Sequence, residues 1–168
     1  MKTLVLYASK YGATKALAEK IASKMPGEAL AVKVGGQPAD MNAYDTIILG
    51  TPIYMGKSHK EMKHFVSKNL PILLQKRIGL FLCCLQDEND SVSRQFQIAF
   101  PKALRNHALC LAALGGAVDR NQLSAFDGLI MRIVSANLPN DNRVISTLSE
   151  ERIDQLIERM KAEPIPSP

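Results

Sequence analysis

The string Ser9-Lys10-Tyr11-Gly12-Ala13-Thr14 carries the groups best suited to hold an anion, and it sits between an apolar run, Leu4-Val5-Leu6-Tyr7, and a segment with helical spacing. A phosphate needs hydrogen-bond donors without a carboxylate beside them. Ser9 and Thr14 offer hydroxyls, and the backbone N–H groups around Gly12 and Ala13 would point outward at the positive end of a helix. Gly12 permits a tight turn and a close approach of the ligand. The string is not a Walker loop, which needs two glycines and a Lys-Ser/Thr pair. Nor is it a dinucleotide fingerprint, because the second and third glycines are absent. Alone it is an ordinary capped turn; between a first strand and a first helix it reads as a phosphate-binding loop.

The remaining reactive residue types form no comparable set. His59 and His64 stand five positions apart, so on a helix they diverge and make a poor metal pair. His107 falls near the end of a helical pattern, where an exposed capping role fits better than catalysis. No carboxylate pair or Ser-His-Asp arrangement stands out, so no metal site and no catalytic side chain is expected. Cys83, Cys84 and Cys110 are odd in number, lie in apolar runs and include no C-x-x-C spacing. They read as buried reduced thiols, with Cys83 and Cys84 on opposite faces of a strand.

The elements that must position the loop follow from the pattern of apolar residues. Five short runs, residues 3–8, 30–34, 46–50, 78–85 and 109–114, are almost continuously apolar, as strands buried on both faces of a parallel sheet should be. Helical spacing lies between them. Residues 13–25 align Leu17, Ile21 and Met25, and residues 60–70 align Met62, Phe65 and Val66. Residues 91–107 align Val92, Phe96, Ala99, Phe100, Ala103 and Leu104, although Pro101 must kink or restart that helix. Ile153, Leu156, Ile157 and Met160 mark a last helix, for which Thr147 and Glu150 can form a capping box. Strands alternating with helices give an α/β sandwich, an open parallel sheet of order 2-1-3-4-5 with helices on both faces and its ligand crevice at the carboxyl ends of the strands. One domain is expected over residues 1–162, with a Pro-rich tail at 163–168.

Residues 126–134 fall outside that scheme. They are apolar nearly all round, with Arg132 the only charge after Asp127. Two readings stand: an extra packed helix, or a surface for a partner, lipid or substrate near the crevice.

The chain has 168 residues, 46% hydrophobic and 22% charged, enough for one folded domain without disulfides or structural metal. No stretch is long enough to span a bilayer. The opening Met1-Lys2-Thr3 enters an apolar run at once, unlike a signal peptide, so a cytoplasmic location is expected. The net charge of +5 suits anionic partners, a membrane face, a carboxylated substrate or nucleic acid, and equally a merely solvated surface.

At the phosphate loop the chain resembles the flavodoxins, whose FMN loop usually reads Thr/Ser-x-Thr-Gly-x-Thr; Tyr11 departs from the commonest residue. The likeness is nearest to one branch, the menaquinone-dependent protoporphyrinogen dehydrogenases of haem synthesis. It runs through Met1-Lys2-Thr3-Leu4-Val5-Leu6, the stretch from Tyr44 to Ile53, Gly56-Lys57-Ser58-His59, Phe65-Val66, Leu114-Gly115-Gly116-Ala117 and Phe126-Asp127. Tyr54 and Met55 stand where that branch carries an arginine and an aromatic residue.

The resemblance implies a flavodoxin-like fold, FMN as cofactor, and redox chemistry carried by the flavin. It implies that Ser9, Lys10, Tyr11, Gly12, Ala13 and Thr14 hold the phosphate, and that Pro52, Ile53, Tyr54, Met55 and Gly56 border the isoalloxazine ring. Leu85, Gln86, Asp87 and Asn89 would then meet the ring's far edge. Tyr54 either stacks on the ring or caps the hydrophobic edge. The activity implied is oxidation of a small organic substrate with a quinone as acceptor, with a possible contact at the inner membrane face. A flavodoxin-type electron carrier and an interaction module without turnover are the alternatives. No nucleic-acid partner is expected, and the oligomeric state is open.

Overall fold

The computed structural model describes residues 1–36, 40–84, 89–119, 144–146 and 149–161. In chain order the elements are β1 (Lys2–Tyr7), α1 (Ala13–Lys24), β2 (Glu28–Lys33), a 3-10 turn (Met41–Ala43), β3 (Thr46–Tyr54), β4 (Lys57–Ser58) and α2 (Lys60–Leu73). They continue with β5 (Arg77–Cys83), α3 (Asn89–Ala99), α4 (Lys102–His107), β6 (Cys110–Ala113), β7 (Ala117–Asp119), β8 (Val144–Ser146) and α5 (Glu150–Lys161).

The main sheet runs β2-β1-β3-β5-β6, all parallel, which is the predicted 2-1-3-4-5 order once the short β4 is set aside. β4 folds back antiparallel on the end of β3, and β7 pairs with β8 in a separate two-stranded ribbon. Alternate side chains build two cores. On one face Leu4, Leu6, Ile47 and Leu80 pack with Met62, Val66, Phe96 and Leu104 of α2, α3 and α4. On the other Val5, Ile48 and Phe81 pack with Leu17 and Ile21 of α1 and with Ile153, Leu156 and Ile157 of α5. Cys84 belongs to the first core and Cys83 to the second, so the adjacent thiols do point to opposite faces.

Three expectations are corrected. The strands are not all buried on both faces: the central ones are, whereas Leu30 on β2 and Leu111 on β6 are 49% and 46% exposed. These are the sheet's two edges, where fewer elements lie above and below. The helix expected over residues 91–107 is two helices. Pro101 has no N–H to continue the ladder of α3, takes φ −64° and ψ 152°, and starts α4 as its cap. The cap of α5 is Ser149, whose Oγ accepts the Arg152 N–H at 3.3 Å. Thr147, the tail at 163–168 and the extra segment at 126–138 lie outside the described residues. Among those described, no helix is long and apolar enough to cross a membrane.

Candidate functional site

β1 and β3 deliver two turns to the same end of the sheet. Beyond β1 the ladder continues for one more residue, with the Ala8 N–H donating to the Gly50 carbonyl at 3.0 Å. The chain then turns. Ser9 Oγ accepts the Gly12 N–H at 3.0 Å, and Gly12 takes φ +90° as the N-cap of α1. A side chain in that left-handed region costs about 1–2 kcal/mol, so glycine is the residue that fits. With glycine at the cap no side chain covers the first turn of α1, and that turn holds no acidic residue. Its amides, left without intrahelical partners, therefore face outward at the positive pole of the helix. No atom lies within 4 Å of the position a Gly12 Cβ would take, so the space beside this backbone is open. Thr14 is only 1% exposed and packs inward.

The second turn is the β3–β4 hairpin. Ile53 pairs with Ser58 and Tyr54 with Lys57, leaving Met55 and Gly56 as a two-residue loop. Both have positive φ, 51° and 67°, as a hairpin of the I′ kind requires. Met55 is the only described non-glycine residue in that region, and it is 56% exposed. Gly56 has open space where a Cβ would be. The base of the hairpin is held by Thr51, fully buried, whose Oγ1 accepts the His59 N–H at 3.4 Å.

The two turns touch through aromatic rings. Tyr11 and Tyr54 meet edge to face with centroids 5.9 Å apart, and the Lys10 ammonium lies 4.9 Å and 4.7 Å from the two centroids. This cation–π arrangement stiffens the seam between loop and hairpin. The third expected stretch is only partly visible. Leu85, Gln86 and Asp87 lie outside the described residues, and Asn89 opens α3 without a described side chain. The strand before it ends tightly, with the Cys84 N–H donating to the Gly115 carbonyl at 3.0 Å.

The structure thus brings Ser9–Ala13 beside Tyr54–Gly56, with Pro52 and Ile53 leading in along β3. Sequence reasoning missed the buried role of Thr51 at the base of the hairpin. It also missed the way Lys10 bridges the two tyrosines. The histidines are apart from one another. His59 caps α2 with Nδ1 3.9 Å from Glu61, and His107 places Nε2 2.8 Å from the Lys76 carbonyl oxygen. No cluster able to hold a metal exists among the described residues. All three cysteines are free and buried, and burial pushes the Cys110 thiol above its ordinary value against the opposing pull of Arg159. A cavity of about 560 Å³ lies elsewhere, between β2 and α2.

Residues 4–143 match the family model described as Flavodoxin domain. The chain belongs to the flavodoxin family. No curated protein matches it. Among solved structures, the two-electron reduced flavodoxin of Megasphaera elsdenii is 16% identical, aligning 95% of this chain with 99% of that one at a TM-score of 0.60. The flavodoxin of Streptococcus pneumonia TIGR4 is also 16% identical, over 95% and 97% of the two chains, at 0.55. A WrbA-like flavodoxin from Agrobacterium tumefaciens is 22% identical, over 82% and 94%, at 0.51. At such identities these likenesses establish the shared fold. Within the flavodoxin fold, the loop at Gly12 and the hairpin at Gly56 occupy the carboxyl ends of adjacent strands, where open α/β sheets bind ligands.

Proposed function

We propose that this chain binds FMN between the Gly12 loop and the Met55-Gly56 hairpin, and that it is an oxidoreductase passing electrons from a reduced organic substrate to a quinone. The observation that carries the first half is Gly12. Its φ of +90°, the uncapped and acid-free first turn of α1, and the open space beside its backbone suit a phosphate monoester. FMN supplies reversible hydride and electron transfer when bound; the protein supplies binding, orientation and electrostatics. Ser9 keeps its hydroxyl proton free to donate while its oxygen holds the Gly12 N–H. The first-turn amides of α1 meet the phosphate charge. Tyr54 and the hairpin backbone border the ring, and Lys10 keeps positive charge at that seam.

The second half rests on the resemblance to the quinone-linked protoporphyrinogen dehydrogenases and on the basic balance of the chain, +5, which suits anionic substrates. One observation favours the electron-carrier reading instead. Met55, 56% exposed at the hairpin tip, leaves an apolar contact in solvent where another protein can approach.

Titration of the purified protein with FMN tests the first half, and saturable quenching of flavin fluorescence is the expected result. Absence of quenching at saturating FMN refutes it. Steady-state oxidation of protoporphyrinogen with a menaquinone analogue, run beside reduction by a ferredoxin reductase, separates enzyme from carrier. Turnover in the first assay supports the oxidoreductase; rapid reduction in the second alone supports the carrier. Flavin binding with neither activity leaves a non-catalytic module.

A further inference from the structure

The Gly12 loop and the Met55-Gly56 hairpin leave the sheet as neighbours, joined where the Ala8 N–H donates to the Gly50 carbonyl at 3.0 Å. Further out, side chains meet. Tyr11 and Tyr54 stand edge to face with 5.9 Å between centroids, and the Lys10 ammonium lies over both rings, 4.9 Å from the first and 4.7 Å from the second. Neither tyrosine belongs to the two hydrophobic cores, whereas Ile53, just before Tyr54 on β3, packs against the first of them. Both tyrosines are half-buried and Lys10 is exposed. The angle of the Tyr54 ring is therefore set at this seam and not by the core. The resemblance to flavodoxins puts Lys10 among the residues that hold the phosphate. An ammonium seated over two aromatic rings points to a different task.

We propose that Lys10 is a positioning residue: with Tyr11 it fixes the Tyr54 ring at the angle at which that ring borders the isoalloxazine, so it serves recognition of the flavin ring and not of the phosphate. This rests on FMN occupying the site as proposed above. The phosphate has donors of its own, the Ser9 hydroxyl and the first-turn amides of α1. Lys10 is drawn elsewhere by the negative faces of two tyrosines, and the edge-to-face contact between those rings adds to the same arrangement. Its four-carbon stem lets an exposed head reach both rings from one backbone position. A Tyr54 free to turn would have to be immobilised when the flavin binds, at a cost in side-chain entropy. A Tyr54 already held at the seam has lost that freedom beforehand. Since Lys10 acts through Tyr54, its effect on binding should vanish when that ring is removed.

The test titrates the full chain with FMN and with riboflavin, which carries the same ring and no phosphate, and follows flavin fluorescence. Lys10→Met is expected to weaken both flavins by the same factor, about two- to fivefold for an exposed cation–π contact, with the thermal midpoint retained. In a Tyr54→Leu background the same substitution should add no further loss. Lys10→Arg, whose guanidinium also stacks on aromatic faces, should restore the wild-type affinities. A second measurement needs no flavin. In the flavin-free protein the Lys10 Hε signals should be shifted upfield by the tyrosine rings, and Tyr54→Leu should reduce that shift. A loss confined to FMN would overturn the proposal and make Lys10 a phosphate ligand. Additive losses in the double variant, no rescue by arginine, or Hε signals at their ordinary position would overturn it as well. Each of these leaves the FMN reading standing, whereas a wild-type protein that binds neither flavin brings down that reading and this inference together.

Discussion

At Gly12 the two requirements of the loop, a left-handed backbone and room for a ligand, fall on one residue. The space where its Cβ would go is open, so a substitution there suffers from φ +90° and from intrusion into that space, not from a clash with the fold. Gly12→Val is expected to abolish flavin fluorescence quenching while far-UV circular dichroism stays native. Its cost in stability should be about 1–2 kcal/mol or somewhat more, because the branched side chain must adopt αL. Loss of quenching with a collapsed spectrum would mean instead that the turn is needed for folding. The turn of Ser9 and Gly12 was legible in the sequence because residue type and position coincide there. The φ of 51° at Met55 was not, since a non-glycine residue gives no local sign that a two-residue hairpin will force it there. The inward packing of Thr14 was equally hidden, because burial is decided by where α1 settles on the sheet.

Elements were legible where local pattern and tertiary setting agree. The central strands are apolar without interruption because helices cover both faces, and the parallel order followed from them. The edges were misread because apolar residues such as Leu30 and Leu111 look alike in sequence whether or not a layer covers them. The fusion of α3 and α4 into one expected helix is a similar error: the apolar stripe continues across Pro101, while the backbone bond does not. Two tests belong at this scale. Gly50 on β3 faces Phe81 on β5, and a Cβ at Gly50 would lie within the fully buried Phe81 ring. Gly50→Ala should therefore destabilise the protein by about 1–3 kcal/mol in urea unfolding, the usual range for overpacking. It should also weaken FMN binding, because the Gly50 carbonyl accepts the Ala8 N–H at the entrance to the loop. Ser149→Ala removes the cap of α5 and should cost about 1 kcal/mol by the same measurement, with FMN binding unchanged. Should that variant prove as stable as the wild type, the helix end is satisfied by other means.

For the molecule as a whole, charge and apolar surface point to a partner class. The chain carries +5, and the sequence of residues 126–138 holds Leu129, Ile130, Ile133, Val134 and Leu138 with Arg132 among them and Arg120 and Arg143 on either side. That is more apolar surface than one core-facing stripe needs. We propose a peripheral contact with an anionic membrane through this segment. Two forces would contribute, and salt separates them. Attraction between arginines and lipid phosphates is worth about 1 kcal/mol per basic residue near the surface, and it fades beyond a Debye length of about 8 Å at physiological ionic strength. Insertion of apolar side chains does not fade with salt. Liposome flotation with phosphatidylglycerol vesicles should therefore recover the wild-type protein at low salt and retain part of it at high salt. Ile130→Asp with Ile133→Asp should abolish the salt-resistant fraction and leave the thermal midpoint unchanged. If the wild type fails to float and the double variant instead melts at a lower temperature, residues 126–138 are core, and the basic surface serves soluble anionic partners.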